Sequence, residues 1–296
     1  MIPNRVTDRF RLTTALLLFA LLFTISGGGQ AESRSGSKSK SESESESEFK
    51  SKSELEFESR SEIKSESRSA SESAGNEGFV SLFNGEDLTG WIVPEGDGGH
   101  WRVVDGVIDY DALSEAPDDK NLWSEEEYGD FVLRLDWRIK ETPFVNHNAR
   151  IIRPDGTYQR DASGEIIRIS VPDSDSGVYL RGSSKSQINI WSWPVGSGEV
   201  WGYRTDPDMP PEVAAGVTPS VFADNHIGEW NTFEITMVGE RLTVELNGQL
   251  VIEDVPLPGV DARGPIALQH HGRQEDGEWT SSPSLVQFRN ISIRKL

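Results

Sequence analysis

Phe131-Val132-Leu133-Arg134-Leu135-Asp136-Trp137-Arg138-Ile139 decides the fold class. Phe131, Leu133, Leu135, Trp137 and Ile139 alternate with Val132, Arg134, Asp136 and Arg138, the period of a half-buried strand rather than a helix. Neighbouring segments repeat the pattern. Trp101–Val104 and Val107–Tyr110 flank Asp105-Gly106, and Arg241–Leu246 runs into Asn247-Gly248; both dipeptides favour two-residue hairpins. Phe233–Met237 alternates as well. Val286–Phe288 and Ile291–Ile293 are out of phase across Arg289-Asn290, which predicts a bulge. One helical turn is expected at Ser124–Tyr128, where Ser124 and Glu127 can form a capping box. The whole reads as an all-β sandwich of many short antiparallel strands.

Outward from this domain, composition divides the 296-residue chain into three. Arg5, Arg9 and Arg11 precede the apolar run Leu12–Ile25 and the small residues up to Ala31, the pattern of a secretory signal peptide over 1–31. The run is short for a membrane span, so no stable span is expected, although an uncleaved anchor is the alternative. The expected destination is periplasmic or extracellular, after cleavage near Ala31. Residues 32–74 alternate Ser with Glu, Lys and Arg, and only Phe49, Leu55, Phe57 and Ile63 break the polar run. Such a segment cannot offset its ordering entropy and is expected to be a disordered linker. It is either a spacer or a tolerated product of replication slippage. The domain is then 75–296, and it holds all nine tryptophans.

Charge and cysteine content exclude several functions. A net charge of −20 argues against a nucleic-acid partner, which requires a dense basic patch. The absence of cysteine excludes disulfides, thiol nucleophiles and lipoprotein anchoring.

Strand parity marks a candidate site. Val178 and Leu180 share one face against Tyr179 and Arg181. Ile188 and Ile190 oppose Gln187, Asn189 and Trp191, and Ile266 and Leu268 oppose Ala267, Gln269 and His271. An outer face of amides, Arg, Tyr, Trp and His suits a neutral, hydroxyl-rich ligand, where an ordinary solvated face carries Thr, Lys and Glu. Trp191, Trp193 and Trp201 surround the loop Pro194–Gly198 and could stack on a sugar. Parity puts Gln269 and His271 on the site face and His270 on the other. Asp173 and Asp175, two apart, could share a face as oxygen ligands for calcium or another divalent metal; the alternative is a Pro-Asp-Ser-Asp-Ser-Gly turn. No strand carries the spaced carboxylate pair of conventional glycosidases.

Seven segments occur in the order of a known family. They are Leu82–Trp91, Glu126–Phe131, Ser176–Arg181, Gly228–Asn231, Leu246–Gly248, Gly264–Gln269 and Phe288–Ile291. Together they span Phe79 to Leu296, and the chain resembles the 3-keto-disaccharide hydrolase family. The resemblance implies a concanavalin A-like jelly roll of two antiparallel sheets. It also implies an exported hydrolase acting on sugars oxidised to a ketone at C3, with a sugar 3-oxidoreductase upstream. The rival function is a non-catalytic carbohydrate-binding domain. Two departures bear on specificity: Asn146–Ser170 looks like an insertion, and Gln187–Trp191 replaces a Glu-Val-Gln-Ile pattern.

A C3 ketone acidifies the C2 hydrogen, so a base could expel the C1 group and water could add back. Parity and resemblance together name His271 or Glu199 as the base and Arg181 as the enolate stabiliser, a role a divalent metal could take instead. The substrate-binding set is Tyr179, Gln187, Asn189, Trp191, Tyr203 and Gln269. If the linker contributes no packing, a chain beginning at Gly75 will melt at the temperature of one beginning at Glu32; a clearly lower melting temperature would show that the linker packs on the domain.

Overall fold

The computed structural model describes residues 77–296. The signal-peptide and linker expectations, 1–31 and 32–74, lie outside the described residues. In chain order the strands begin with β1 (Val80–Ser81), β2 (Trp91–Ile92), β3 (Arg102–Val104), β4 (Val107–Asp109), β5 (Leu122–Tyr128) and β6 (Phe131–Ile139). A hairpin of β7 (Phe144–Arg150) and β8 (Arg168–Asp173) leads into β9 (Asp175–Leu180) and β10 (Ser183–Trp191). Two short helices, α1 (Trp201–Arg204) and α2 (Pro211–Gly216), precede β11 (Asn231–Val238), β12 (Arg241–Leu246), β13 (Gln249–Pro256) and β14 (Gly264–Leu268). A small hairpin, β15 (Arg273–Glu275) with β16 (Glu278–Ser281), comes before β17 (Val286–Lys295).

The strands form two main antiparallel sheets. One has the order β13-β12-β11-β6-β17-β4-β3, with β1 also on β17; the other is β10-β9-β14-β5-β2. Between them lies one core. Phe131, Leu133, Leu135, Trp137 and Ile139 of β6 meet the aliphatic faces of β9, β10 and β14, all buried. Among the described residues no helix is long and apolar enough to cross a membrane.

Both hairpin dipeptides turn as their chemistry dictates. Asp105 and Gly106 have φ of 50° and 77°, and Asn247 and Gly248 have 53° and 73°, left-handed at both central positions. The parity break at Arg289-Asn290 is a register shift in the β17–β6 ladder, with Asn290 at φ 52°. Trp101 is buried and stacks on Tyr110 at 3.7 Å. The stretch Asn146–Ser170 is most of the β7–β8 hairpin, prolonged by bridges Ile152↔Tyr158 and Arg160↔Ile166.

Ser124–Tyr128 is not a helical turn but part of β5. Trp91 pairs with Ser124 and Gly264 with Tyr128, so the segment has strands on both sides. Rather than capping Glu127, the Ser124 hydroxyl donates to the Glu126 carbonyl and accepts from the Ile266 N–H. Two ladders outweigh one local cap.

Arg181 also departs from its expected place. With Gly182 it forms the two-residue turn joining β9 to β10, at φ of 50° and 76°, so the alternation of β9 stops at Leu180. The guanidinium is buried and donates to the carbonyls of Gly129 (2.9 Å), Gly239 (2.6 Å) and Asp261 (3.0 Å), with an ion pair to Asp130 at 3.0 Å. All these partners belong to turns, so the side chain ties turns of both sheets together. Arg181→Met should therefore cost about 3 kcal/mol by leaving buried acceptors unpaired, read as a shifted denaturation midpoint. Turnover per folded molecule should stay near wild type.

Candidate functional site

The polar face of β10, β9 and β14 opens into a cleft of about 610 Å³. Tyr179, Gln187, Asn189, Trp191, Gln269 and His271 all line it, so six of the expected site residues are brought together. Register explains this. Tyr179 pairs with Gln187 and Gly177 with Asn189, so polar positions align across the strands while Val178, Leu180, Ile188 and Ile190 stay in the core. Gly177 is required here: a Cβ would lie 2.5 Å from Gln187 Nε2.

The amides are fixed by one another. Gln187 Nε2 donates to Gln269 Oε1 at 2.7 Å and to the Ser176 carbonyl at 3.3 Å. Asn189 Nδ2 donates to Glu199 Oε2 at 3.0 Å, leaving its Oδ1 as the acceptor toward the cleft. Burial pushes the Tyr179 hydroxyl up to about 12, so it is a neutral donor near pH 7. The indoles are fixed too. Trp191 and Trp193 stack with centroids 4.5 Å apart and planes 4° from parallel. Trp191 Nε1 donates to the Gly196 carbonyl and Trp193 Nε1 to Asp173.

His271 has a defined tautomer. Its Nδ1 lies 2.6 Å from the Ser282 carbonyl, which can only accept, so Nδ1 carries a proton and, in the neutral ring, Nε2 holds the lone pair. The backbone N–H of His271 is held by the Ser284 hydroxyl. His270 points elsewhere, 2.6 Å from the Tyr110 hydroxyl, so the two histidines face apart although β14 ends at Leu268.

Three expected site residues stand apart from the cleft. Arg181 is held in its turn, as described above. Glu199 is fully buried, ion-paired with Arg204 and hydrogen-bonded to Asn189. Burial pushes its carboxyl up, against the pull of Arg204. It therefore braces Asn189 from behind rather than meeting a ligand. Tyr203 is buried in α1, with its hydroxyl on the carbonyls of Leu257 and Pro258. Its neighbours Trp201 and Gly202 line the cleft instead.

The aspartates expected as a metal pair separate as well. Asp173 Oδ2 accepts from Asn146 (2.8 Å), Trp193 (3.1 Å) and Ser282 (2.8 Å), which commits it to structure. Only Asp175 reaches the cleft. Among the described residues no three His, Asp or Glu side chains converge as a metal-holding group.

Ser184 and Lys185 line the cleft without any mark in the sequence, and Asp175, expected only as half of a metal pair, lines it too. Asp175 begins β9 and so shares parity with Tyr179, a signal masked by the turn-like Pro-Asp-Ser-Asp-Ser-Gly context. Lys185 is ion-paired with Asp206 at 2.5 Å, and nothing in the sequence connects the two.

The protein is thus a two-sheet antiparallel sandwich with an amide- and indole-lined cleft on one outer face. The chain belongs to the family of the 3-keto-alpha-glucoside-1,2-lyase-like domain, whose model matches residues 78–294. Among solved structures, one "putative glycosyl hydrolase" from Parabacteroides distasonis is 20% identical, with 74% of this chain and 84% of that chain covered at a TM-score of 0.48. A second from the same organism is 18% identical, covering 75% and 95% at a TM-score of 0.46. Carbohydrate binding module CBM66 from Bacillus subtilis is 13% identical, covering 70% and 96% at 0.34. No curated protein matches the chain in sequence.

Burial raises the Asp175 carboxyl from 3.8 to about 7, with His271 opposing the shift. Between about pH 4 and 7 the folded state therefore holds a proton that the unfolded chain has released, so this group's contribution to stability falls as pH rises through that window. Asp175→Asn should gain stability relative to wild type across it, a trend that urea melts at a series of pH values will show.

Proposed function

We propose that this domain cleaves 3-keto-glycosides by ketone-assisted elimination followed by hydration. The observation that carries the reading is His271: an imidazole whose free Nε2 is fixed by the Ser282 carbonyl, in a cleft it shares with Asp175. Family membership supports the substrate class.

In this reading the sugar ring lies against the tryptophans, with Asn189 Oδ1 accepting from one of its hydroxyls. His271 Nε2 takes the C2 proton, and the electron pair moves onto the C3 oxygen as an enolate. The Tyr179 hydroxyl and the Gln269 amide are the donors facing that oxygen, the role expected of Arg181 from sequence. The C1–O bond then breaks, and protonated Asp175 supplies the leaving alkoxide with its proton. A carboxyl titrating near 7 can hold that proton at neutral pH and give it up. Water adds at C1 as C2 regains a proton, so the balance is one glycoside and one water giving two hydroxyl products. Glu199 is left out of the proton transfers, because its carboxylate is already committed to Arg204 and Asn189. The ketone itself must come from a prior oxidation at C3, the work of a sugar 3-oxidoreductase. Export to the periplasm or beyond belongs to the same proposal.

Incubation with matched 3-keto and unoxidised disaccharides tests this. Cleavage should require the ketone, and turnover in deuterated water should leave deuterium at C2 above the enzyme-free exchange rate. His271→Ala should lose roughly 10²–10⁴-fold in rate, while sugar binding persists. Rapid cleavage of the unoxidised disaccharide without deuterium at C2 would reject the mechanism. Binding without turnover of either would leave a carbohydrate-binding domain.

A further inference from the structure

The two ends of the cleft are unlike. Asp175 pairs with Trp191, and Tyr179 with Gln187, four residues along the same ladder, so these pairs stand about 13 Å apart at about 3.3 Å per residue. Both proton-transfer groups, Asp175 and His271, sit at the first end. Ser284 Oγ lies 2.9 Å from the Asp175 carbonyl and accepts from the His271 N–H, which brings the imidazole level with that residue. Past Gln187 the lining changes to Ser184, Lys185, Trp201 and Gly202. Lys185 is committed to its ion pair with Asp206 and lies over the Tyr203 ring at 4.7 Å. This end is built to bind.

Trp201 is its large exposed group. Trp191 and Trp193 stack on each other, and their indole N–H groups are taken by Gly196 and Asp173, whereas Trp201 is 51% exposed. Its position is nonetheless fixed. Gly202 lets α1 touch β10, since a Cβ there would lie 2.4 Å from the Lys185 carbonyl oxygen. The Lys185–Asp206 pair holds the chain just past the helix, and the Thr205 hydroxyl donates to the Trp201 carbonyl at 2.8 Å. An indole held rigid at the mouth of a polar cleft is a preorganised platform for the apolar face of a sugar.

We propose that the Trp201 end is a subsite for a second neutral sugar ring, so that the cleft takes a chain of rings. This rests on the elimination reading, in which Asp175 protonates the leaving oxygen and Tyr179 faces the C3 oxygen. The leaving group then departs at the Trp191 end, and Trp201 lies on the opposite, C4 side of the keto ring. The second ring is joined there. The substrate class is therefore an oligosaccharide oxidised at a ring that itself carries a further sugar. Ser184 offers that ring a hydroxyl, and the paired Lys185 and Asp206 add no net charge, which suits a neutral ligand.

Unoxidised sugars test the subsite without turnover. The indole N–H signals of ¹⁵N-labelled protein are followed during titration with glucose, laminaribiose, cellobiose, maltose and isomaltose. The Trp201 signal is assigned by its loss in Trp201→Ala, and the remaining indole signals report that this variant is folded. At least one disaccharide should bind about three- to tenfold more tightly than glucose, the worth of an aromatic contact, and should shift the Trp201 signal saturably. Trp201→Ala should remove that gain. The proposal is overturned if no disaccharide binds more tightly than glucose, if the gain survives Trp201→Ala, or if the disaccharides move the Trp193 signal and leave that of Trp201 in place. Failure of the elimination chemistry would appear instead as absent turnover of a 3-keto-disaccharide with the Trp201 shift and its length dependence intact, so the two readings fail separately.

Discussion

The C-terminal strand is the constraint on which the rest of the structure depends. β17 lies in the middle of the larger sheet, paired along β6 and also with β4, while β1 adds near its C-terminal end. Val286, Phe288, Ile291 and Ile293 are all buried there. Removing each such side chain from water contributes about 1.5–3 kcal/mol, so this strand alone supplies a large part of the larger sheet's hold on its neighbour. The larger sheet cannot close until its last-made strand joins the first, a non-local requirement that the sequence meets with one bulge at Arg289-Asn290. Once that register is set, the inner faces of β9, β10 and β14 have a surface to cover. Their opposite faces then have no freedom. A slip of one residue would exchange Val178, Ile188 and Ile190 with Tyr179, Gln187 and Asn189 and destroy core and cleft together.

That coupling explains what could be read from sequence. Period-two alternation on three strands placed Tyr179, Gln187, Asn189, Trp191, Gln269 and His271 on one face, because burial enforces parity wherever a strand is regular. Past a strand's end parity survives only where the chain stays extended, as it does at Gln269 and His271 beyond Leu268. Arg181 sits one residue past Leu180, where a left-handed turn redirects its side chain. Glu199 and Tyr203 lie in non-strand segments whose course depends on tertiary packing. Gly202 approaches so closely that a Cβ would stand 2.4 Å from the Lys185 carbonyl oxygen, and no local pattern announces such an approach. The capping signal at Ser124 was chemically real but weaker than the ladders around it. Asp175 was visible as a residue and obscured by its turn-like neighbours.

Acidity and site chemistry are separate properties of this molecule. The net charge of −20 disfavours anionic partners, while the cleft presents neutral amides, a phenol, indoles and a single partly buried carboxylate, with Lys185 ion-paired to Asp206. A neutral polyol pays little to enter such a place. Hydrogen-bond donors fixed before the ligand arrives need no reorganisation when charge develops on an oxygen. The Gln187–Gln269 bond fixes such a donor on one side of the cleft, while the Ser282–His271 bond fixes the imidazole on the other.

The buried Glu199–Arg204 pair is the most costly element of this arrangement. Burying two charges gains little net stability even when they meet, so its value must be sought in what it orients. Arg204 is clamped by the Gly156 carbonyl at 3.2 Å and the Tyr158 hydroxyl at 3.1 Å, both from the β7–β8 hairpin, and its guanidinium lies over the Tyr158 ring at 4.7 Å. Glu199, held by Arg204, fixes the Asn189 amide. The β7–β8 hairpin is therefore connected to the cleft by a chain of charge-assisted bonds in a low-dielectric interior, where each link is stiff. An amide nitrogen held this way leaves one orientation for its oxygen. The β7–β8 hairpin thus sets the direction of an acceptor in the cleft without lining the cleft itself.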